Sequence, residues 1–176
     1  CMFSRMCLGL VGYGRLGKKV AAISKAMGMT VRYYDPHVDG GADHILDLAT
    51  MSNILSLHAV STEETRGLVS KSVLNALPKN SIVINTARGE LLDTHALLDL
   101  METGHIFAAA LDTVEGEYGM NFEDHLQKSR LLEYARSHDN LILTPHIGGS
   151  THDAWKETQR QVIKKAAVVL GLKLPT

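Results

Sequence analysis

The chain has 176 residues, enough for one domain with a sizeable core and cramped for two. Hydrophobic residues make up 45% and charged ones 21%, and the formal net charge of −1 argues against a polyanion-binding surface and against nucleic acid as a partner. No apolar run reaches the roughly 18 residues of a membrane helix, the start lacks a signal-peptide pattern, and Cys1 and Cys7 sit too close together to staple a fold, so reduced thiols in a cytoplasmic protein are expected.

Cys1 followed by Met2 is an unusual start and points to a boundary cut into a longer product or to a truncated one. The first strand expected is Cys7–Val11, and Gly12-Tyr13-Gly14-Arg15-Leu16-Gly17 follows it directly, opening a helix over Leu16–Ala26. Thr30–Tyr34 reads as the second strand and ends at Asp35. Part of Ile45–Met51 is helical, Asn53–Leu57 is a strand, Ser70–Ala76 a helix and Ser81–Asn85 a strand. Asp93–Glu102 is the next helix and Phe107–Leu111 the next strand. Glu115–Asn140 is the least regular stretch, with one short helix over Leu131–Arg136 before the strand Leu141–Leu143. Ser150 with Asp153 gives a helix-start signal, and Trp155, Val162, Ile163, Ala166 and Leu170 recur at helical spacing to Leu170, as core or interface packing. Strands that read as continuous apolar runs, alternating with helices, predict an α/β fold of the Rossmann type: a doubly wound parallel sheet with helices on both faces. With no repeat, low-complexity tract or linker, residues 1–176 are read as a single domain.

The glycine motif carries the first chemical signal. Gly12 permits a tight turn, Gly14 lets backbone approach a pyrophosphate, and Gly17 lets helix and strand pack closely. The free N–H groups of Arg15 and Leu16 at the helix start favour negative phosphates. Asp35 at the end of the second strand can accept hydrogen bonds from the adenosine ribose hydroxyls and would repel a 2′-phosphate, which selects NAD over NADP.

Further along, Asn85-Thr86-Ala87-Arg88-Gly89-Glu90, the run from Ala108 to Val114 containing Leu111-Asp112-Thr113, and Thr144-Pro145-His146-Ile147-Gly148-Gly149 resemble the D-isomer-specific 2-hydroxyacid dehydrogenases, phosphoglycerate dehydrogenase among them, in the family's order and over nearly the whole chain. The resemblance implies an NAD-dependent oxidoreductase that moves a hydride between the nicotinamide and a D-2-hydroxy acid/2-oxo acid pair. It implies Arg88, Glu117 and His146 as catalytic groups. A histidine suits reversible proton transfer at the carbonyl oxygen, a carboxylate beside it favours the charged imidazole, and a guanidinium grips a carboxylate with a planar fork. It also implies that Thr86, Ala87, Arg88, Asp112, His146, Gly148 and Gly149 lie by the nicotinamide, and that His58, Ala59 and Val60 lie by the adenine and ribose. A cytoplasmic homodimer acting on a small acid, with no nucleic acid or membrane partner, is the assembly it implies.

Three positions depart from the family pattern. Tyr118 follows Glu117 where the family has proline, with Glu115 as the alternative partner for His146; the stretch between Glu117 and His146 is long; and Val60 stands where a proline is common. The family's split substrate domain is expected to be absent from this chain. An NAD-binding dimerisation or regulatory module without turnover is the alternative function. The remaining histidines, His37, His44, His95, His105, His125, His138 and His152, show no metal-binding spacing and are expected at the solvated surface.

Overall fold

The computed structural model describes residues 2–172. In chain order these form β1 (Cys7–Val11), α1 (Arg15–Ala26), β2 (Thr30–Tyr34), α2 (Ile45–Thr50), β3 (Ile54–Leu57), α3 (Lys71–Ala76) and β4 (Ser81–Asn85). There follow α4 (Thr94–Glu102), β5 (Ile106–Leu111), α5 (Phe122–Gln127), α6 (Arg130–Ser137), β6 (Leu141–Leu143) and α7 (His152–Leu170), with single 3-10 turns at Phe3–Arg5 and Gly89–Leu91. The chain divides into two compact units, one running to Thr144 and one from Pro145 onward.

The first unit is built on a six-stranded sheet in the order β2-β1-β3-β4-β5-β6, every pair parallel. Alternate residues of β1 to β4 feed two cores, one on each face of the sheet, while β5 and β6 feed the first of them. Val11, Leu55, Leu57, Val83, Ala109 and Leu111 face α2, α3, α4 and α6, which pack side by side. Leu8, Leu10 and Ile54 face the other way, where Ala21 of α1 meets them with Met29. From β1 the chain steps to β2 on one side and returns to β3 on the other. That reversal opens a crevice outside the carboxyl ends of β1 and β3, the place where open α/β sheets bind ligands. The expected Rossmann-type sheet is the one found, strand by strand.

Some boundaries differ from the sequence reading, each for a local reason. Asn53 precedes β3 as its tether: its side chain accepts from the Cys7 N–H at 2.9 Å while its own N–H donates to the Cys7 carbonyl. The cap of α7 is Thr151, whose hydroxyl accepts from the Ala154 N–H, and not Ser150. The irregular stretch holds a second helix, α5, entered through Asn121 at φ 62°. Six residues are too short for a periodic signal, and only the pair Phe122 and Leu126, one turn apart, marks its apolar side. Among the expected surface histidines, His105 is half-buried, with a buried Nε2 that has no hydrogen-bond partner. Of the α7 stripe, Trp155, Val162, Ile163 and Leu170 are exposed, and Ala167 is the helix's buried residue. Among the described residues no helix is long and apolar enough to cross a membrane.

Candidate active site

A cleft of about 440 Å³ occupies the crevice, lined by Gly12, Gly14, Asp35, His58, Ala59 and Val60 together with Tyr34, Pro36, His37, Thr62, Glu64, Thr65 and Leu68. Gly12 is buried at φ +96°, and a Cβ there would lie 2.6 Å from the Ala59 nitrogen. The turn can therefore sit against the end of β3 only as glycine. Gly17 backs onto the Gly12 carbonyl, which brings the first turn of α1 onto the strand end. Around Gly14, by contrast, a Cβ would meet nothing within 4 Å, so the backbone is bare toward the cleft. Gly14 caps α1 with no side-chain hydrogen bond, and Arg15 and Leu16 begin the helix. The turn thus presents backbone N–H groups without a built-in occupant, as an anion site needs.

Asp35 is held from two sides. The Tyr13 N–H donates to one oxygen at 2.7 Å and the His37 N–H to the other at 3.0 Å. On the opposite wall, His58 pairs through Nε2 with Ser56 Oγ at 3.0 Å, while its Nδ1 is buried with no partner. Burial pushes the His58 imidazole below its usual pKa, so the neutral ring is favoured. Beyond it, Thr65 Oγ1 accepts from the Thr62 N–H and donates to the Val60 carbonyl, closing the loop that carries Val60.

The carboxyl end of β4 carries Thr86, Ala87 and Arg88. Asn85, fully buried, organises them: its amide Nδ2 donates to the Arg88 carbonyl at 2.8 Å and its Oδ1 accepts from the Ala87 N–H at 3.0 Å. Arg88 itself is exposed, its guanidinium donating to the adjacent Ala87 carbonyl. At the end of β5, Asp112 is buried and accepts from the Thr144 hydroxyl at the end of β6. The next turn runs from Val114 to Glu117, whose carboxylate accepts from the Val114 N–H at 3.4 Å. Glu115, the alternative glutamate, lies 3.7 Å from the Arg66 guanidinium at an exposed site. In the second unit, His146 sits at φ 52°, a left-handed conformation that costs a non-glycine residue energy, and Gly148 and Gly149 follow it ahead of α7. Among the described residues no group of three or more His, Cys, Asp or Glu is placed to hold a metal ion.

Sequence reasoning passed over Asn85, although an asparagine ending a buried strand before a turn is itself a signal for an Asx-type hydrogen bond. It also passed over Thr144, which has no local signal because its partner lies on another strand.

The sequence pattern of the D-isomer specific 2-hydroxyacid dehydrogenase, NAD binding domain, matches residues 2–148. The chain is 36% identical over 156 residues to a D-3-phosphoglycerate dehydrogenase of Dictyostelium discoideum, covering 84% of this chain and 36% of that protein. It is 34% identical over 171 residues to a hydroxypyruvate reductase of Thermotoga maritima, covering 94% of this chain and 53% of the relative. A D-lactate dehydrogenase from Aquifex aeolicus, solved with NAD and lactic acid, superposes with a TM-score of 0.83 at 29% identity, over 97% of this chain and 55% of that one. The chain therefore spans between about a third and about half the length of these relatives. With residues 2–148 matched to that domain, on a parallel sheet whose glycine turn and Asp35 share one cleft, the chain belongs to the D-isomer specific 2-hydroxyacid dehydrogenase family as an NAD-binding domain.

Proposed function

We propose that this chain is the cofactor-binding part of an NAD-dependent oxidoreductase that interconverts a D-2-hydroxy acid and its 2-oxo acid, in the manner of phosphoglycerate dehydrogenase, and that both compact units belong to that one domain. The observation that carries the reading is the gathering of the bare Gly14 backbone, Asp35 and the His58–Val60 loop around one cleft at the carboxyl edge of the sheet. These residues fit a dinucleotide. The turn at Gly12, Gly14 and Gly17, with the N–H groups of Arg15 and Leu16, would hold the pyrophosphate, and Asp35 would take the adenosine ribose hydroxyls. Thr86, Ala87, Arg88, Asp112, His146, Gly148 and Gly149 are assigned to the nicotinamide end.

When bound, the nicotinamide supplies or takes up the hydride at the carbon that is carbonyl in the 2-oxo acid. The chain's own groups do the rest. Arg88 binds the substrate carboxylate through its planar fork and orients the reacting carbon. Its present hydrogen bond to the Ala87 carbonyl is one that an incoming carboxylate can replace with a charge-assisted pair. His146 gives a proton to the carbonyl oxygen during reduction and recovers it during oxidation. Glu117 is assigned as the carboxylate that orients the His146 imidazole. The same reading makes the protein a cytoplasmic homodimer acting on a small acid rather than on nucleic acid or a membrane.

The test is a titration of the folded chain with NADH and NADPH followed by fluorescence. NADH is expected to bind and NADPH to bind more weakly; a folded chain that binds neither would overturn the assignment. NADH binding and dimerisation without turnover of any 2-oxo acid, in the protein as expressed from its gene, would favour a regulatory NAD-binding module instead.

A further inference from the structure

We propose that Tyr13 and Tyr33 form an aromatic clamp that fixes the spacing between the glycine turn and Asp35, and so presets the cleft for the ADP half of a dinucleotide; the inference rests on the reading of that cleft as a cofactor site. Tyr13 stands between Gly12 and Gly14, and Tyr33 stands on β2 two positions before Asp35. Their rings are stacked, with centroids 3.8 Å apart and planes inclined by 7°. The same Tyr13 residue donates its backbone N–H to Asp35. One residue therefore ties the turn to β2 twice, by ring and by backbone. The Gly12 N–H adds a third link, to the Tyr34 carbonyl at 2.8 Å. The Lys18 ammonium lies 5.8 Å from the centroid of the Tyr13 ring, within reach of its π face.

Tyr33 is anchored in turn by the loop that follows Asp35. Its hydroxyl donates to the Asp39 carbonyl at 2.6 Å, and its carbonyl accepts from the Ala42 N–H at 2.8 Å. Gly41 lies so close that a Cβ on it would fall 2.7 Å from the Tyr33 ring. The glycine there gives the loop room to fold over the ring, and the Asp35 carboxylate is held between that loop and the turn. Gly12 and Gly14 flank Tyr13, so the turn has much backbone freedom to lose. Pinning the ring between them removes that freedom before a ligand arrives, which strengthens binding without adding a contact. Neither ring lines the cleft, whereas Gly12, Gly14, Tyr34 and Asp35 do. Tyr13 and Tyr33 are therefore positioning residues.

A clamp differs from ordinary packing in what it does to ligands of different length. Adenosine meets Asp35 and the His58–Val60 loop but not the turn, whereas ADP and NADH span Asp35 and the turn, so they alone sense the spacing. In Tyr13→Leu, which keeps the backbone N–H and removes the ring, NADH and ADP are expected to bind roughly 3- to 10-fold more weakly. Adenosine, measured by competition, is expected to stay within about twofold of the unaltered chain, and Tyr13→Phe to do so for all three ligands. Urea midpoints of each variant establish that it is folded. Tyr13→Leu binding NADH like the unaltered chain, or losing adenosine as much as ADP, would overturn the clamp. An unaltered, folded chain that binds neither NADH nor ADP would overturn the cofactor reading and the clamp with it. Hydrogen exchange on the unaltered chain gives a second measurement that needs no variant. The Tyr13 amide is expected to be protected before NADH is added, and protection that arises only on binding would sink the proposal.

Discussion

Asp35 illustrates how much work a single side chain does in this cleft. Its carboxylate already accepts from two backbone N–H groups, which leaves the remaining lone pairs oriented for a ligand and costs little reorganisation when one binds. Asp35→Ala is expected to weaken NADH by roughly 1.5–3 kcal/mol for each charge-assisted hydrogen bond lost. Repulsion of a 2′-phosphate goes with the charge, so the preference for NADH over NADPH should narrow; calorimetry with both cofactors checks it, and two unchanged affinities would remove Asp35 from the site. His58 makes a separate prediction about pH. Burial holds its pKa below the usual value, so in the folded chain the ring is neutral at pH values where the unfolded chain binds a proton. The unfolded state then takes up more protons, and stability rises with pH through the window below about 6.5. As pH falls toward the folded value, that stability is lost. The urea midpoint should therefore drop from about pH 7.5 to about pH 5.5, and drop less in His58→Gln. Parallel curves for the two proteins would show that the buried imidazole does not contribute.

At the scale of elements, the ends of the parallel strands are joined to one another as well as to their own loops. Asn85 at the end of β4 organises the Arg88 turn, the Asp112 N–H donates to the Asn85 carbonyl, and Thr144 reaches back from the end of β6 to Asp112. The turn at Gly89–Leu91 carries a tight junction, because a Cβ on Gly89 would fall on the backbone of Val114 and Glu115. Gly89 thus lets the segment after β4 lie against the segment that leads into Glu117. Gly89→Ala is expected to destabilise the chain by about 1–3 kcal/mol, as overpacking a close backbone contact does. A denaturation midpoint equal to that of the unaltered chain would show that this loop moves aside freely. The α5–α6 segment is fixed differently, by Arg130 bridging Asp99 at 2.7 Å and Glu102 at 2.9 Å on α4. That pairing keeps the Asp99 carboxyl below its ordinary range. The pair is solvent-exposed, so its main effect is to orient α6 rather than to stabilise it.

For the whole molecule, three outcomes follow from what the chain contains. It carries the glycine turn, Asp35 and Asp112, so NADH binding is expected of the chain as it stands. Turnover of hydroxypyruvate, glyoxylate or 2-oxoglutarate is expected to be poor. Catalysis requires the substrate carbon held at roughly 3–3.5 Å from the hydride donor with water excluded, and Arg88 is exposed to solvent. Enzyme-like rates from this chain in a coupled absorbance assay would contradict that argument. Self-association is expected as well, because α7 exposes Trp155, Val162, Ile163, Val168, Val169 and Leu170, a run that water disfavours. Light scattering at tens of micromolar that gave a strictly monomeric mass would count against a homodimer.

The strands and their order in the chain were determined by the sequence alone, because the inner strands of a parallel sheet are covered on both faces and read as apolar runs, as Ser81–Asn85 does. The glycine turn was equally legible, since Gly12 and Gly17 occupy places where any side chain would overlap backbone. The dehydrogenase motifs at Arg88 and His146 were readable as a resemblance. What needed the tertiary structure was every relation across the sheet. The reach of Thr144 to Asp112 and the grip of the Tyr13 N–H on Asp35 carry no periodicity. The stacking of Tyr13 on Tyr33 is of the same kind. Hydrophobic patterning records which face of an element is buried, and it does so locally, residue by residue. Which polar side chain meets which depends on strand order and register, and these are set only when separate elements pack together.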